Sequence, residues 1–178
     1  MPVQQINRIT LSERYTQTFI PAGYFWNAGG LLKAYIIGRR TQHTIMSLTI
    51  EYVDRLFENL STGNGSAFFD NVADDVHWTV MGTHPLAGVY KSKEDFLKNT
   101  FERLDKVLKG GVILKVAHTF VSGNIAVVEM TQTSTALNGK PFPNTYCWVI
   151  RFVDGVITEV RAYVDSFLVK QVIDENER

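Results

Sequence analysis

Apolar positions follow a helical period in two stretches before residue 110 and a period of two in four stretches after it. From Ser47, the residues Ile50, Val53, Phe57 and Leu60 recur at helical spacing, with Glu51, Asp54 and Glu58 on the opposite side. That spacing predicts an amphipathic helix, and the breaker cluster at residues 61–66 should end it. A short second helix is expected over about 66–72, burying Phe68, Phe69 and Val72. Residues 75–82, DVHWTVMG, read as a strand, and His84-Pro85 with Gly88 mark an irregular loop after it. Ser92-Lys93-Glu94-Asp95 fits an acidic variant of the capping box. The stripe Phe96, Leu97, Phe101, Leu104, Val107 and Leu108 then predicts one long helix, closed by Gly110-Gly111.

Beyond that helix, residues 112–122, 125–137, 146–153 and 156–165 are β-rich. Gly123-Asn124, Asn138-Gly139 and Asp154-Gly155 separate them, and such dipeptides make tight hairpins. Pro141 and Pro143 are expected to keep the start of the third run out of the regular ladder. In the last run Val156, Val160, Ala162 and Val164 share one parity, while Ile157, Glu159, Arg161, Tyr163 and Asp165 share the other. After Asp165 the period turns helical, through Phe167, Lys170 and Gln171. The elements describe an α+β domain: a curved antiparallel sheet packed on three helices that precede it in sequence, with a C-terminal helix.

Composition adds an asymmetry. The net charge of the whole chain is zero, yet residues 1–45 carry Arg8, Arg14, Lys33, Arg39 and Arg40 against Glu13 alone. The rest of the chain is therefore mildly acidic, and bulk charge points to neither a nucleic acid nor a membrane surface. Residues 1–45 mix glycines, Pro21 and aromatics without a period and read as a poorly ordered extension ahead of a domain at 46–178. A transit peptide is the other reading of that basic segment, and it would replace a cytoplasmic location by an organellar one. No apolar run reaches the roughly 18 residues that a membrane span needs. The lone Cys147 excludes an internal disulfide and reads as an inert, buried thiol. No pair of histidines has metal-ligand spacing with a third ligand, so neither a metal nor another cofactor is expected.

Several short pieces, in this order and spacing, resemble the SnoaL-like branch of the NTF2-like superfamily. They are Val76 to Trp78 with Gly82, then Pro85-Leu86-Ala87-Gly88-Val89-Tyr90, Val128-Glu129, Asn138-Gly139-Lys140-Pro141-Phe142 and the run from Asp154 to Asp165. The resemblance covers about residues 46–175. It implies a cone whose sheet wraps around the helices and leaves a pocket at one end, in a domain that often pairs as a homodimer. The superfamily spans ketosteroid isomerases, polyketide cyclases, scytalone dehydratases and limonene epoxide hydrolases, so fold alone does not choose a chemistry. The Arg-x-Asp pair of the epoxide hydrolases has no counterpart in Val128-Glu129-Met130-Thr131-Gln132. The resemblance places Asp165 where related cyclases carry an acid/base carboxylate.

The residues themselves leave alternatives open. Asp165, at a strand-to-helix junction, reads either as a catalytic base with a raised pKa or as the cap of the helix that follows. Tyr163, two residues earlier, is a candidate donor to an enolate, or else a rim aromatic. His77 is a third acid/base candidate, although its neighbour Trp78 must point to the other face of the strand. Phe68, Trp78, Tyr146 and Trp148 are expected to line an apolar pocket, with His84 in a loop at its mouth. Glu129 and Arg161 are expected to pair with each other beside it. The ligand implied is a small hydrophobic carbonyl compound. Two functions follow: a cofactor-independent isomerase, cyclase or dehydratase, or a non-catalytic binding or dimerisation module.

Overall fold

The structure, a computed structural model, describes residues 47–177. The expected extension at 1–45, and its reading as a transit peptide, lie outside the described residues. Helix α1 (Ile50–Ser61) starts where Thr49 Oγ1 accepts the Tyr52 N–H at 3.2 Å, and it buries Val53, Leu56, Phe57 and Leu60. The short α2 (Gly65–Phe69) buries Phe68 and Phe69 and leads into strand β1 (Val72–Val80). Strand β2 (Gly88–Tyr90) follows, in the segment expected to be irregular. Ser92 then caps α3 (Lys93–Asn99) by accepting the Asp95 N–H.

The long helix expected from residue 92 is two helices. Backbone angles at Thr100 leave the helical region (φ −127°, ψ −77°), and its hydroxyl bonds back to the Phe96 carbonyl at 2.6 Å. A β-branched residue that satisfies its own chain in this way competes with the helix. Helix α4 (Phe101–Val107) then resumes with Leu104 and Val107 inward, and β3 (Leu108–Lys109) takes up what the apolar stripe had assigned to its last turn.

Strands β4 (Lys115–Ser122), β5 (Ile125–Ala136), β6 (Pro141–Val153) and β7 (Val156–Val164) form the expected antiparallel meander. Strand β1 pairs with β7 in parallel, giving the order β2-β1-β7-β6-β5-β3, with β4 also on β5. The whole is a curled mixed sheet wrapped on its helices, an α+β cone. Asp154 and Gly155 both have positive φ (49° and 82°), the geometry of a two-residue hairpin turn. Tyr52 donates to the Gly155 carbonyl at 2.8 Å, which fastens α1 to that turn.

Two local expectations are corrected here. Pro141 and Pro143 lie inside β6, paired with Thr135 and Thr133 of β5. They fit because β7 joins β6 only from Tyr146 onward, so the proline stretch is an edge whose missing N–H groups cost no ladder bond. The alternation in β7 is also broken. The register runs from Arg151↔Glu159 to Phe152↔Ile157, leaving Thr158 as an extra residue. A bulge of this kind turns Ile157 inward together with Val160 and Ala162, and leaves Val156 exposed.

The inner face of the sheet packs on α1, α2 and α3 through a cluster of aromatic rings. Trp78 stacks on Phe96 at 3.8 Å between centroids and meets Trp148 edge-on at 5.0 Å, while Phe57 and Phe68 also approach Trp148. Fully burying one such side chain contributes about 1.5–3 kcal/mol. A second, smaller cluster closes the cone where α5 (Ser166–Asn176) sets Val169, Val172 and Ile173 against Leu86, Leu104 and Phe142.

Candidate functional site

Strand β6 presents Asn144, Tyr146 and Trp148 to the inner face, and β5 presents Gln132 directly opposite Asn144. These are neutral groups held between the two apolar clusters. The Tyr146 hydroxyl donates to Gln132 Oε1 at 2.9 Å, and Gln132 Nε2 donates to Ser134 Oγ at 3.0 Å and to the Gly111 carbonyl at 3.4 Å. Asn144 Oδ1 accepts the Thr145 and Asp165 N–H groups at 2.8 and 3.2 Å. Its Nδ2 is buried with no hydrogen-bond partner, as is Trp78 Nε1. Burial pushes the Tyr146 phenol far above its ordinary range, and the nearby Asn144 side chain opposes that rise. Tyr146 is therefore a neutral donor at any physiological pH, and the cluster offers hydrogen bonds without charge.

A groove of about 400 Å³ opens on the surface between α2, α3 and α4. Phe69, Leu97 and Phe101 line it, with Lys93, Glu102 and Asp105 at its rim. The Phe101 ring lies 6.4 Å from Trp148, so the groove runs along the outer side of the aromatic wall. At its end Asp105 Oδ1 accepts the Val112 N–H at 3.0 Å, and the adjoining Gly111 carbonyl is the one that receives Gln132. A second groove, about 510 Å³, lies between α1 and β4 and is lined by charged residues including Asp54, Arg55, Glu58 and Lys115.

The residues expected at the site separate into two groups. Phe68, Trp78, Tyr146 and Trp148 come together on the inner face. His77, Glu129, Arg161 and Tyr163 lie on the outer face, exposed. The idea that the polar parity of the last strand borders the pocket is corrected by this arrangement, because the apolar partners Val160 and Ala162 of that strand take the inner side. Glu129 and Arg161 do not pair either. Glu129 faces Cys147 across the ladder and takes His118 Nδ1 at 3.0 Å, while Arg161 reaches Glu159 at 3.5 Å and Arg151 holds the same Glu159 at 3.0 Å. Burial, with the Glu129 charge opposite, pushes the half-buried Cys147 thiol up and away from a reactive thiolate.

Asp165 is exposed, and its Oδ1 accepts the Phe167 and Leu168 N–H groups at 3.0 and 3.2 Å. Of its two readings, this is the geometry of the helix cap, and a carboxylate so engaged does not open onto the inner face. His84 is buried in the loop between β1 and β2. Its Nε2–H donates to the Met81 carbonyl at 3.1 Å and its Nδ1 accepts the Leu86 N–H at 3.2 Å, which fixes the tautomer. Desolvation holds its pKa below the usual value. Both ring nitrogens are used, so His84 ties the loop and is not free for proton transfer. Sequence reasoning missed Gln132 and Asn144. The even-numbered parity of β6 that holds Tyr146, Trp148 and Phe152 also contains Asn144, and its position between prolines and strand concealed that. Among the described residues no group of three or more His, Cys, Asp or Glu could hold a metal ion. No helix there is long and apolar enough to cross a membrane.

With this geometry in place, comparison with known proteins is informative. The profile of the SnoaL-like domain matches residues 53–160. The chain is 29% identical over 130 residues to the dimerizing cyclase phiC of a fungal species (strain ATCC 74256), covering 71% of this chain and 57% of that protein. It is 32% identical over 115 residues to the dimerizing cyclase tstC of Talaromyces stipitatus, covering 62% of this chain and 51% of that protein. The chain thus spans little more than half the length of these relatives. Among solved structures, an NTF2-like protein from Burkholderia thailandensis superposes with a TM-score of 0.61 at 24% identity, covering 69% of this chain and 95% of that one.

Proposed function

The chain belongs to the SnoaL-like domain family, and on that premise we propose that it binds a small hydrophobic carbonyl compound on the inner face of its sheet and performs cofactor-independent isomerase- or cyclase-type chemistry on it. One observation carries this reading: neutral hydrogen-bonding groups, Tyr146, Gln132 and Asn144, stand between apolar clusters beside the Trp78–Trp148 wall. A flat apolar molecule gains from the rings, and its carbonyl oxygen gains from donors that would otherwise be buried without full use. Donors aimed at such an oxygen stabilise the enolate that forms when water or hydroxide from solvent takes a proton from the adjacent carbon. Enclosure by the aromatic wall favours ring closure by holding reacting carbons near one another.

The names of phiC and tstC support the cyclase side of this reading. Because Asp165 is engaged as a cap, the contribution of the protein lies in its donors and its enclosure. We also propose that the domain pairs with a second copy as a homodimer.

The test uses 2-acetylnaphthalene as probe. Saturable quenching of tryptophan emission reports binding, and exchange of the acetyl methyl protons in D2O, followed by NMR, reports enolisation. Binding with exchange faster than in buffer, weakened in Tyr146→Phe, is the expected result. Binding without exchange would favour the non-catalytic module, and no saturable binding by the folded protein would overturn the inner-face site.

A further inference from the structure

Neither surface groove is lined by Gln132, Asn144 or Tyr146. The end of the cone beside Asn144 is covered instead by α5, whose buried Val169, Val172 and Ile173 rest on Leu86, Leu104 and Phe142. Val112 and Val164 pack against both this cluster and the aromatic one, so the apolar interior runs without a break from α5 to the Trp78–Trp148 wall. The two ends of α5 are held by different means. At its start the Asp165 N–H donates to buried Asn144 Oδ1 at 3.2 Å, and Ser166 fits so closely against Gly82 that a side chain on Gly82 would collide with it. At its far end the hold is polar and near solvent. Lys140 Nζ donates to Glu175 Oε1 at 2.8 Å, the Asn138 N–H donates to Asn176 Oδ1 at 2.8 Å, and Arg103 Nε donates to Glu177 Oε1 at 2.7 Å. Arg103 also donates to the Pro85 carbonyl at 3.1 Å, so these ties gather α4, the β1–β2 loop and the β5–β6 turn around one helix end.

We propose that α5 is a lid, hinged at Asp165–Ser166 and latched at Glu175–Glu177, and that its opening is the route by which a small apolar molecule enters the cone. What enters rests on the inner-face reading above; the lid adds how it enters. The asymmetry of the two ends sets the direction of movement. Solvent-exposed ion pairs are weak and screened by salt, whereas the buried bond and the close fit at the start of the helix are not. Release therefore begins at the far end and pivots about the near one. Lifting α5 bares Leu86, Leu104 and Phe142 to water, which is unfavourable, so the open form stays a minor population. The latch is made in the closed form and lost in the open one, so its strength sets how often the lid opens.

The experiment first follows amide hydrogen exchange by mass spectrometry, without any ligand. In wild type the amides of residues 170–176 should exchange about tenfold or more faster than those of residues 147–152 in β6, because α5 opens without global unfolding. Arg103→Gln, which breaks the latch, should speed α5 by about threefold. Tyr52→Phe loosens α1 from the Gly155 turn, away from the lid, and should speed β6 by about fivefold while leaving α5 unchanged. Stopped-flow tryptophan quenching with 2-acetylnaphthalene then tests the route. The latch is closed in the free and the bound protein alike, so Arg103→Gln should raise the association and dissociation rates by the same factor and leave Kd where it was. Exchange of α5 no faster than that of β6, with Tyr52→Phe speeding both alike, would make α5 a fixed part of the core and overturn the lid. Local opening of α5 with association rates indifferent to Arg103→Gln would overturn its role as the entrance. No saturable binding of the probe to the folded protein would overturn the inner-face reading and the route with it, while the ligand-free exchange would still report the opening of α5.

Discussion

The two faces of one sheet are built from the same strands and carry opposite chemistry. Along β6, Asn144, Tyr146, Trp148 and Ile150 point inward while Cys147, Val149 and Arg151 point outward. The inner face holds aromatic rings and neutral donors, and its polar atoms are either paired inside the fold or fixed and unpartnered. The outer face holds the charges, joined in the chains His118–Glu129 and Arg151–Glu159–Arg161 within reach of water. Ionised groups stay where solvent screens them, and the interior keeps polarity that needs no countercharge. A functional site built from the inner face must therefore work by hydrogen bonding and enclosure.

The sharpest test of that division is to truncate one aromatic on each side. Trp148 meets Phe57, Phe68, Trp78 and Phe101, so Trp148→Ala should destabilise the domain by about 3–5 kcal/mol. Tyr163 is 45% exposed on the outer face, and Tyr163→Ala should cost less than about 1 kcal/mol. Urea denaturation of the two variants measures both. Similar losses would mean that the outer aromatic is as enclosed as the inner one.

A second test stays on the inner face and removes one oxygen. Tyr146→Phe leaves Gln132 Oε1 buried without its donor, which should cost about 1–3 kcal/mol in the same measurement. A neutral result would show that water reaches Gln132 and that the cluster is wetter than its burial implies.

How far this division could be read from the sequence depends on the element. Three turn dipeptides and the alternation between them specify the meander, because a strand period and a hairpin signal are both local. The parallel pairing of β1 with β7 was not legible, since it joins residues such as Trp78 and Val160 that no local pattern links. The alternation in β7 groups Glu159, Arg161 and Tyr163 on one face, but nothing local says that this face is the outer one, and the bulge at Thr158 sends Ile157 inward with Val160 and Ala162. Trp78 and His77 were separated correctly, because adjacent strand residues must face opposite ways. Asn144 was missed because its role depends on the Asp165 N–H, 21 residues away. Asp165 itself carried both readings in its sequence position, and only the direction of its carboxylate tells them apart.

That direction yields the next prediction. Asp165→Ala should lower stability by about 1 kcal/mol through loss of the α5 cap, while Asp165→Asn, which caps equally well, should stay near wild type in thermal unfolding. Methyl-proton exchange in the naphthyl ketone should be unchanged by Asp165→Asn, and its abolition would restore the carboxylate as a base. A shallower effect belongs to His84. Its folded pKa is depressed by burial, so below about pH 6.5 the unfolded chain binds the proton more readily than the folded one. Its contribution is complete above the unfolded value and is lost as pH falls from there towards the lowered folded value. Urea midpoints at about pH 7.5 and about pH 5.5 should therefore differ more in wild type than in His84→Gln. Equal slopes in the two proteins would place the sensitive proton elsewhere.

The smallest effects are expected from the outer charges, and they sharpen the comparison most directly. Arg161→Ala and Glu129→Gln each remove one partner of a solvent-screened pair, and each should change stability by no more than about 0.5 kcal/mol at moderate salt. The same substitutions would act very differently on a face covered by a second copy, because an ion pair deprived of water leaves an uncompensated charge when one partner is removed. Stability measured across a range of protein concentrations separates the two cases. A loss near the smaller figure at every concentration keeps the outer face in water. A much larger loss that grows with concentration would mean that the outer face, like the inner one, is buried in the working assembly, and that its charges pair across an interface.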